Sequence, residues 1–188
     1  LKNLEDSIIT PIMDLEDIES IHSCCNDQLI KANYLDTLIL NAGLQYTGSN
    51  LIKWSKQNIE LTFAVNHLSH YYLANSLLGS LFKSQSPRII VTASEVHNPL
   101  LPGGRVGLSA ELGDLKGLEI GSGFNMVNGD SCFNADKAYK DSKLCNILFA
   151  KELASRLSFS KYNIPIICWA PGLVIPRSNE GFFRHSRK

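Results

Sequence analysis

Four short apolar runs separated by helical patterns constrain this 188-residue chain more than any other feature. They occupy residues 7–13, 35–40, 88–92 and 164–169. Each has the length of a strand, and their mostly apolar make-up predicts burial on both faces. Behind the first run, Asp14 is a candidate helix N-cap, and Ile18, Ile21, Cys25 and Leu29 recur at helical spacing. Residues 55–81 and 138–157 carry longer helical patterns. Strand and helix in alternation predict a parallel sheet with helices on both faces. Residues 99–136, rich in Gly, Pro and Asn with little period, interrupt the rhythm.

In such sheets ligands sit beyond the carboxyl ends of the strands. The residues that close the runs are therefore the first functional candidates: Asn41-Ala42-Gly43 after the second, Ser94 after the third and Pro171-Gly172 after the fourth. The 18 basic and 18 acidic residues give a formal net charge of zero, so bulk charge predicts neither nucleic-acid nor anionic-membrane binding. No apolar run approaches the roughly 18 residues of a spanning helix. The opening Leu1-Lys2-Asn3-Leu4-Glu5-Asp6 does not read as a secretory signal. Five scattered cysteines without a CxxC pair argue against a disulfide framework or a zinc site, and for a reducing compartment, the cytosol or its equivalent. The oligomeric state is not readable from the sequence.

Tyr139 and Lys143 stand four apart in a helical pattern and so share a face. An ammonium near a phenol stabilises the phenolate, which predicts a lowered pKa for Tyr139 and a proton that moves near neutral pH. A bare YxxxK also describes many surface pairs. Its company is more specific: Asn41-Ala42-Gly43, then Asn66 within a helix, then Ser94, then Tyr139 and Lys143, then Pro171-Gly172, in that order.

This set resembles the short-chain dehydrogenase/reductase family over nearly the whole chain. The resemblance implies that Tyr139 is the general acid, that Lys143 tunes it and binds the nicotinamide ribose, that Ser94 orients the substrate and that Asn66 holds a water in the proton relay. It places Asn41, Ala42, Gly43, Pro171 and Gly172 against the cofactor, expected to be NADPH, and Asp14-Leu15 against its adenine ring. Within the family, KAYKDSKLCN at 137–146, LGDLKGL at 112–118, VNHLSH at 65–70, GFFR at 181–184 and the long interval from Ser94 to Tyr139 resemble light-dependent protochlorophyllide reductases. The implied reaction adds a hydride from NADPH and a proton from Tyr139 across a ring C=C of the pigment, with Cys145 lining the pigment pocket. Three departures keep a dark carbonyl or retinol-type reductase acting on a lipophilic carbonyl open. The chain reads Asn-Ala-Gly where that branch usually reads Asn-Ala-Ala. Glu95-Val96-His97-Asn98-Pro99 is similar to carbonyl reductases, and Pro176 stands about where a Thr is expected.

The family's first strand, its GxxxGxG turn and its second strand have no counterpart in this sequence. Gly103-Gly104-Arg105-Val106-Gly107 follows no predicted strand and opens no predicted helix, so it does not read as a phosphate loop. The expected fold is therefore α/β, a doubly wound, Rossmann-like parallel sheet over residues 1–188, incomplete, without the first two strands and the C-terminal part. In the order 3-2-1-4-5-6, run 7–13 then lacks a neighbour and run 35–40 exposes an edge. Poor folding alone, no turnover and an incomplete record of a longer protein follow as expectations, and a fragment without catalysis stays a third alternative. His67 and His70 read as packing beside the cofactor pocket rather than as a metal pair. Cys145 also reads as a small buried helix residue. Trp54 and Trp169 read as core or rim, Tyr71 and Tyr72 as packing, and Arg177, Arg184, Arg187 and Lys188 as a solvated basic tail.

Overall fold

Three of the four apolar runs pair as parallel strands: β1 (Thr37–Leu40), β2 (Arg88–Thr92) and β3 (Ile166–Trp169), in the order β1-β2-β3. The computed structural model describes residues 8, 10–26, 34–46, 50–160 and 162–172. Helices connect and cover the strands: α1 (Ile18–Cys24), α2 (Leu61–Phe63), α3 (Ser69–Leu81), α4 (Pro102–Arg105), α5 (Lys116–Ile120) and α6 (Ala135–Ser158).

Side-chain alternation along the strands sends Leu38, Leu40, Ile89 and Val91 to one face, where all are buried. Leu73, Leu77 and Leu81 of α3, Phe149, Leu153 and Leu157 of α6, and Ile21 of α1 close over them. On the opposite face Ile39, Ile90 and Ile167 are register partners in one row across the sheet. Ile39 is 59% exposed and Ile167 47%. The edge expected at run 35–40 is present, since among the described residues β1 pairs with β2 alone.

Three expectations need correction. In run 7–13, Ile8 and residues 10–13 form no strand, and Ser7 and Ile9 lie outside the described residues. A strand needs a neighbour for its backbone N–H and C=O groups, and the sheet described offers this segment none. Asp17, not Asp14, caps α1: its carboxylate accepts from the Glu19 N–H at 3.1 Å and is held by Lys56 and Gln57 at 2.8 and 2.9 Å. Asp14 instead accepts from the Glu16 N–H in a local turn. The pattern at 55–81 becomes helical only at Leu61, where Glu60 caps the Thr62 and Phe63 N–H groups, each at 2.8 Å. Leu29 lies outside the described residues.

The Gly-rich segment 99–136 is not a featureless insertion. It contains α4 and α5 and delivers Phe124 and Val127 into a second apolar cluster with Ile59, Phe63, Ala64 and Cys145.

Candidate active site at the strand ends

The long helix α6 carries the centre of the site. It begins where the Asn134 side chain accepts from the Lys137 N–H at 2.8 Å, with Asp136 favourable in the first turn. One turn further in, Tyr139 and Lys143 face the carboxyl end of β2. Tyr139 is half-buried and hydrogen-bonded to the Ser94 side chain. Lys143 is 3% exposed, donates to the Thr92 carbonyl at 3.1 Å and lies 5.6 Å from the Tyr139 ring centroid.

The electrostatics reverse one expectation. Burial pushes the Tyr139 phenol above its ordinary value, with the Ser94 hydrogen bond opposing that rise. Burial also pulls Lys143 down to about 8. Desolvation disfavours the charged form of each group, and the Lys143 ammonium spends its hydrogen bond on Thr92 rather than on the phenol. At neutral pH the pair is therefore a neutral phenol beside an ammonium poised to lose its proton.

Asn66 is fully buried and joins three segments. Its Oδ1 accepts from the Leu44 N–H at 2.7 Å, and its Nδ2 donates to the Leu44 carbonyl at 3.0 Å and to Ser142 Oγ at 3.1 Å. The helix around it widens into a π turn over Ala64–Leu68, in which the Ser69 N–H reaches the Ala64 carbonyl. The Asn66 carbonyl accepts from Asn146 Nδ2 at 3.0 Å, and Asn146 Oδ1 lies 3.1 Å from His67 Nδ1. Ser142 in turn donates to the Tyr139 carbonyl at 2.7 Å. The loop after β1, the π turn and the helix bearing Tyr139 are thus stapled together.

Asn41, Ala42 and Gly43 are exposed at the end of β1. A Cβ on Gly43 would stand 3.3 Å from Asn66 Oδ1 and 3.4 Å from Lys143 Nζ, so glycine keeps this approach open. Across the sheet top, Trp169 Nε1 donates to Thr92 Oγ1 at 3.1 Å, and Thr92 Oγ1 donates to Asn41 Oδ1 at 2.9 Å. Pro171 and Gly172 are exposed beyond β3, with Gly172 at φ +75°.

A cavity of about 220 Å³ opens beside Tyr139, lined also by Val96, Gly103, Val106, Gly107 and Lys140. Gly103, Gly104 and Arg105 of the glycine run lie in the helical turn α4, and Gly103, Val106 and Gly107 form a wall of the site. The structure brings Tyr139, Lys143, Ser94, Asn66, Asn41 and Gly43 to one end of the sheet. It does not bring Cys145 to the cavity: that thiol is buried in the second apolar cluster. Leu15 is half-buried, its carbonyl accepting from Ser69 Oγ at 2.5 Å, and Asp14 is exposed in the turn before α1. Pro176 and residues 181–184 lie outside the described residues.

Sequence reasoning missed Thr92, Ser142, Asn146 and Lys140. A signal existed for the last three: polar residues recurring every three or four positions on the buried side of a helix need partners.

Known proteins resemble this chain in sequence and in fold. The short chain dehydrogenase family model matches residues 1–104. The chain is 35% identical over 178 residues to protochlorophyllide reductase A of Hordeum vulgare, covering 92% of this chain and 45% of that one. It is 32% identical over 178 residues to retinol dehydrogenase 14 of Homo sapiens, covering 95% of this chain and 45% of that one. Among solved structures, the 3-alpha-hydroxysteroid dehydrogenase from Pseudomonas sp. B-0831, complexed with NADH, superposes with a TM-score of 0.63 at 21% identity over 87% of this chain and 58% of that one. The chain spans about half the length of the curated relatives it matches. With its parallel sheet, its strand-end site and these matches, the chain belongs to the short-chain dehydrogenase family of oxidoreductases.

Proposed function

We propose that the protein is an NADPH-dependent reductase in which Tyr139 donates the proton, Ser94 aligns the reacting group and Lys143 stabilises the phenolate left behind. The observation that carries this reading is the hydrogen bond between Tyr139 and Ser94 at the end of β2, with Lys143 on the same face of α6. A phenol kept protonated by burial is ready to give its proton at neutral pH. A buried ammonium with a pKa of about 8 is charged there and favours the anion as it forms.

The residues fit the nicotinamide side of the cofactor. Gly43 leaves room between Asn66 and Lys143, Asn41 and Ala42 are exposed beside it, and Pro171 and Gly172 are exposed beyond the end of β3. The cofactor supplies the hydride. Lys143 would hold its ribose, and Leu15 with Asp14 its adenine ring. Asn66 has its side chain committed to Leu44 and Ser142 and its carbonyl to Asn146, so its part in a proton relay is to hold the relay's walls in register.

For substrate we propose protochlorophyllide, reduced at a ring C=C under illumination. The support is the 35% identity to protochlorophyllide reductase A and the KAYKDSK segment. The chemistry would belong to chlorophyll biosynthesis, in a reducing compartment beside photosynthetic membranes. The second reading, a dark reductase of a lipophilic carbonyl, is favoured by Gly43 and by the likeness to retinol dehydrogenase 14. The test supplies the protein with NADPH and either protochlorophyllide or retinal, in light and in darkness. Chlorophyllide formed only after illumination supports the first reading. Retinol formed in darkness supports the second, and no product from either contradicts both.

A further inference from the structure

The two residues after Tyr139 and Lys137 before it do not serve the proton. Lys140 is 5% exposed, yet among the described residues no carboxylate stands within ion-pair distance of it. Its Nζ donates to three backbone carbonyls instead: Gly104 at 3.1 Å, Val106 at 2.5 Å and Leu108 at 2.8 Å. These carbonyls belong to the segment whose Gly103, Val106 and Gly107 wall the cavity beside Tyr139. Asp141, 1% exposed, accepts from the Glu111 N–H at 2.8 Å, and Lys137 donates to the Glu111 carbonyl and to Asp141, both at 2.7 Å. One stretch of α6 therefore carries the phenol and ties down the wall that faces it.

The tie is demanding on both sides. A buried ammonium needs all its donors satisfied, and three carbonyls converge on it only if the segment keeps one fold. Gly104 has no room for a side chain: a Cβ would stand 1.9 Å from the Asn98 carbonyl oxygen. The segment is thus pinned from the helix side by Lys140 and from its own side by the close approach of Gly104 to Asn98.

We infer that Lys140 is a positioning residue that fixes the wall formed by residues 103–107 against Tyr139, and so sets which substrates fit between wall and phenol. The inference rests on Tyr139 being the proton donor, but its structural arm does not. An unpinned wall raises KM, because the substrate must first order it, while the proton step on bound substrate is left largely intact.

The experiment compares Lys140→Met, which keeps length and removes the charge, with Lys140→Arg, which keeps the charge. Hydrogen exchange is read at the Gly104 and Arg105 amides, both donating to Leu101, with β2 amides as the internal reference. Steady-state kinetics use whichever of protochlorophyllide or retinal the protein reduces. Expected for Lys140→Met is at least tenfold faster exchange at those two amides with β2 unchanged, and a roughly tenfold higher KM with kcat within threefold, the Arg variant recovering most of both. Unchanged exchange, or a kcat loss at constant KM, overturns the inference. If Lys140→Met does not melt cooperatively, Gly104→Ala perturbs the wall with Lys140 intact. The same KM rise then supports the inference, and an unchanged KM overturns it. A wild-type protein that reduces neither substrate defeats the functional reading, while the exchange arm still decides the tie.

Discussion

On the face of the sheet that meets α3 and α6, Leu38, Leu40, Ile89 and Val91 are all at most 7% exposed; on the other, Ile39 and Ile167 keep 59% and 47% of their surface in solvent. In these strands the covered face is apolar throughout, whereas the open face also carries Thr37, Arg88 and Thr92, so residue type already favours the face that is covered. The side chains of the candidate site divide the same way. Tyr139, Lys143, Asn66 and Ser142 belong to the covering helices and their buried staple, whereas Asn41, Thr92 and Trp169 form a hydrogen-bonded row across the sheet top. The geometry around Tyr139 and Lys143 is therefore fixed by the covered layer.

The largest difference should appear in the strands themselves. Leu40→Ala empties a fully buried site and should cost about 2–5 kcal/mol, whereas Ile39→Ala should cost under about 1 kcal/mol. Urea melts of the two variants check this, and equal costs would mean that the open face is covered in solution.

The covered layer should also announce itself in pH dependence. Lys143 has a pKa of about 8 when folded, against 10.5 for the free side chain. Between those values the unfolded chain holds the proton and the folded one has lost it, so this group makes stability rise with pH, by at most about 3 kcal/mol. Lys143→Met should remove that rise, seen as the difference between wild-type and variant urea melts from pH 7 to 10. His70, 2% exposed and pulled down to about 4 by burial, then Lys143 and His67, works in the acid range. The unfolded chain takes its proton first, so its contribution is lost as pH falls from 6.5 towards 4.

A smaller effect is expected at the staple. Asn146→Ala removes one donor to the Asn66 carbonyl and the partner of the His67 ring and should cost about 1–3 kcal/mol. The smallest is expected at Gly43→Ala, whose methyl sits 3.3 Å from Asn66 and 3.4 Å from Lys143 and needs shifts of a few tenths of an ångström. Its stability cost should stay under about 1 kcal/mol in melts, since small shifts relieve slight overpacking.

Much of this was legible in the sequence because strand-closing residues are punctuated strongly. Runs 35–40, 88–92 and 164–169 contain β1, β2 and β3, and Asn41, Ser94, Tyr139 and Lys143 converge where strand ends predict. Run 7–13 was misread because an apolar run reports burial propensity and not the presence of a pairing neighbour. The Tyr139 pKa was misread because helical spacing gives the proximity of an ammonium but neither its hydrogen-bond choice nor its burial. For Lys140 the helical pattern marks a polar residue that needs partners, but the partners themselves were invisible, because backbone carbonyls 32 to 36 residues away leave no mark in side-chain patterns.

The most direct test is Tyr139→Phe, which removes one hydroxyl and keeps the ring. With NADPH and the substrate that the wild-type protein reduces, the rate of product formation should fall about 10²–10⁴-fold, while the melting temperature and NADPH affinity stay near wild type. A variant that reduces substrate within twofold of the wild-type rate would contradict the account.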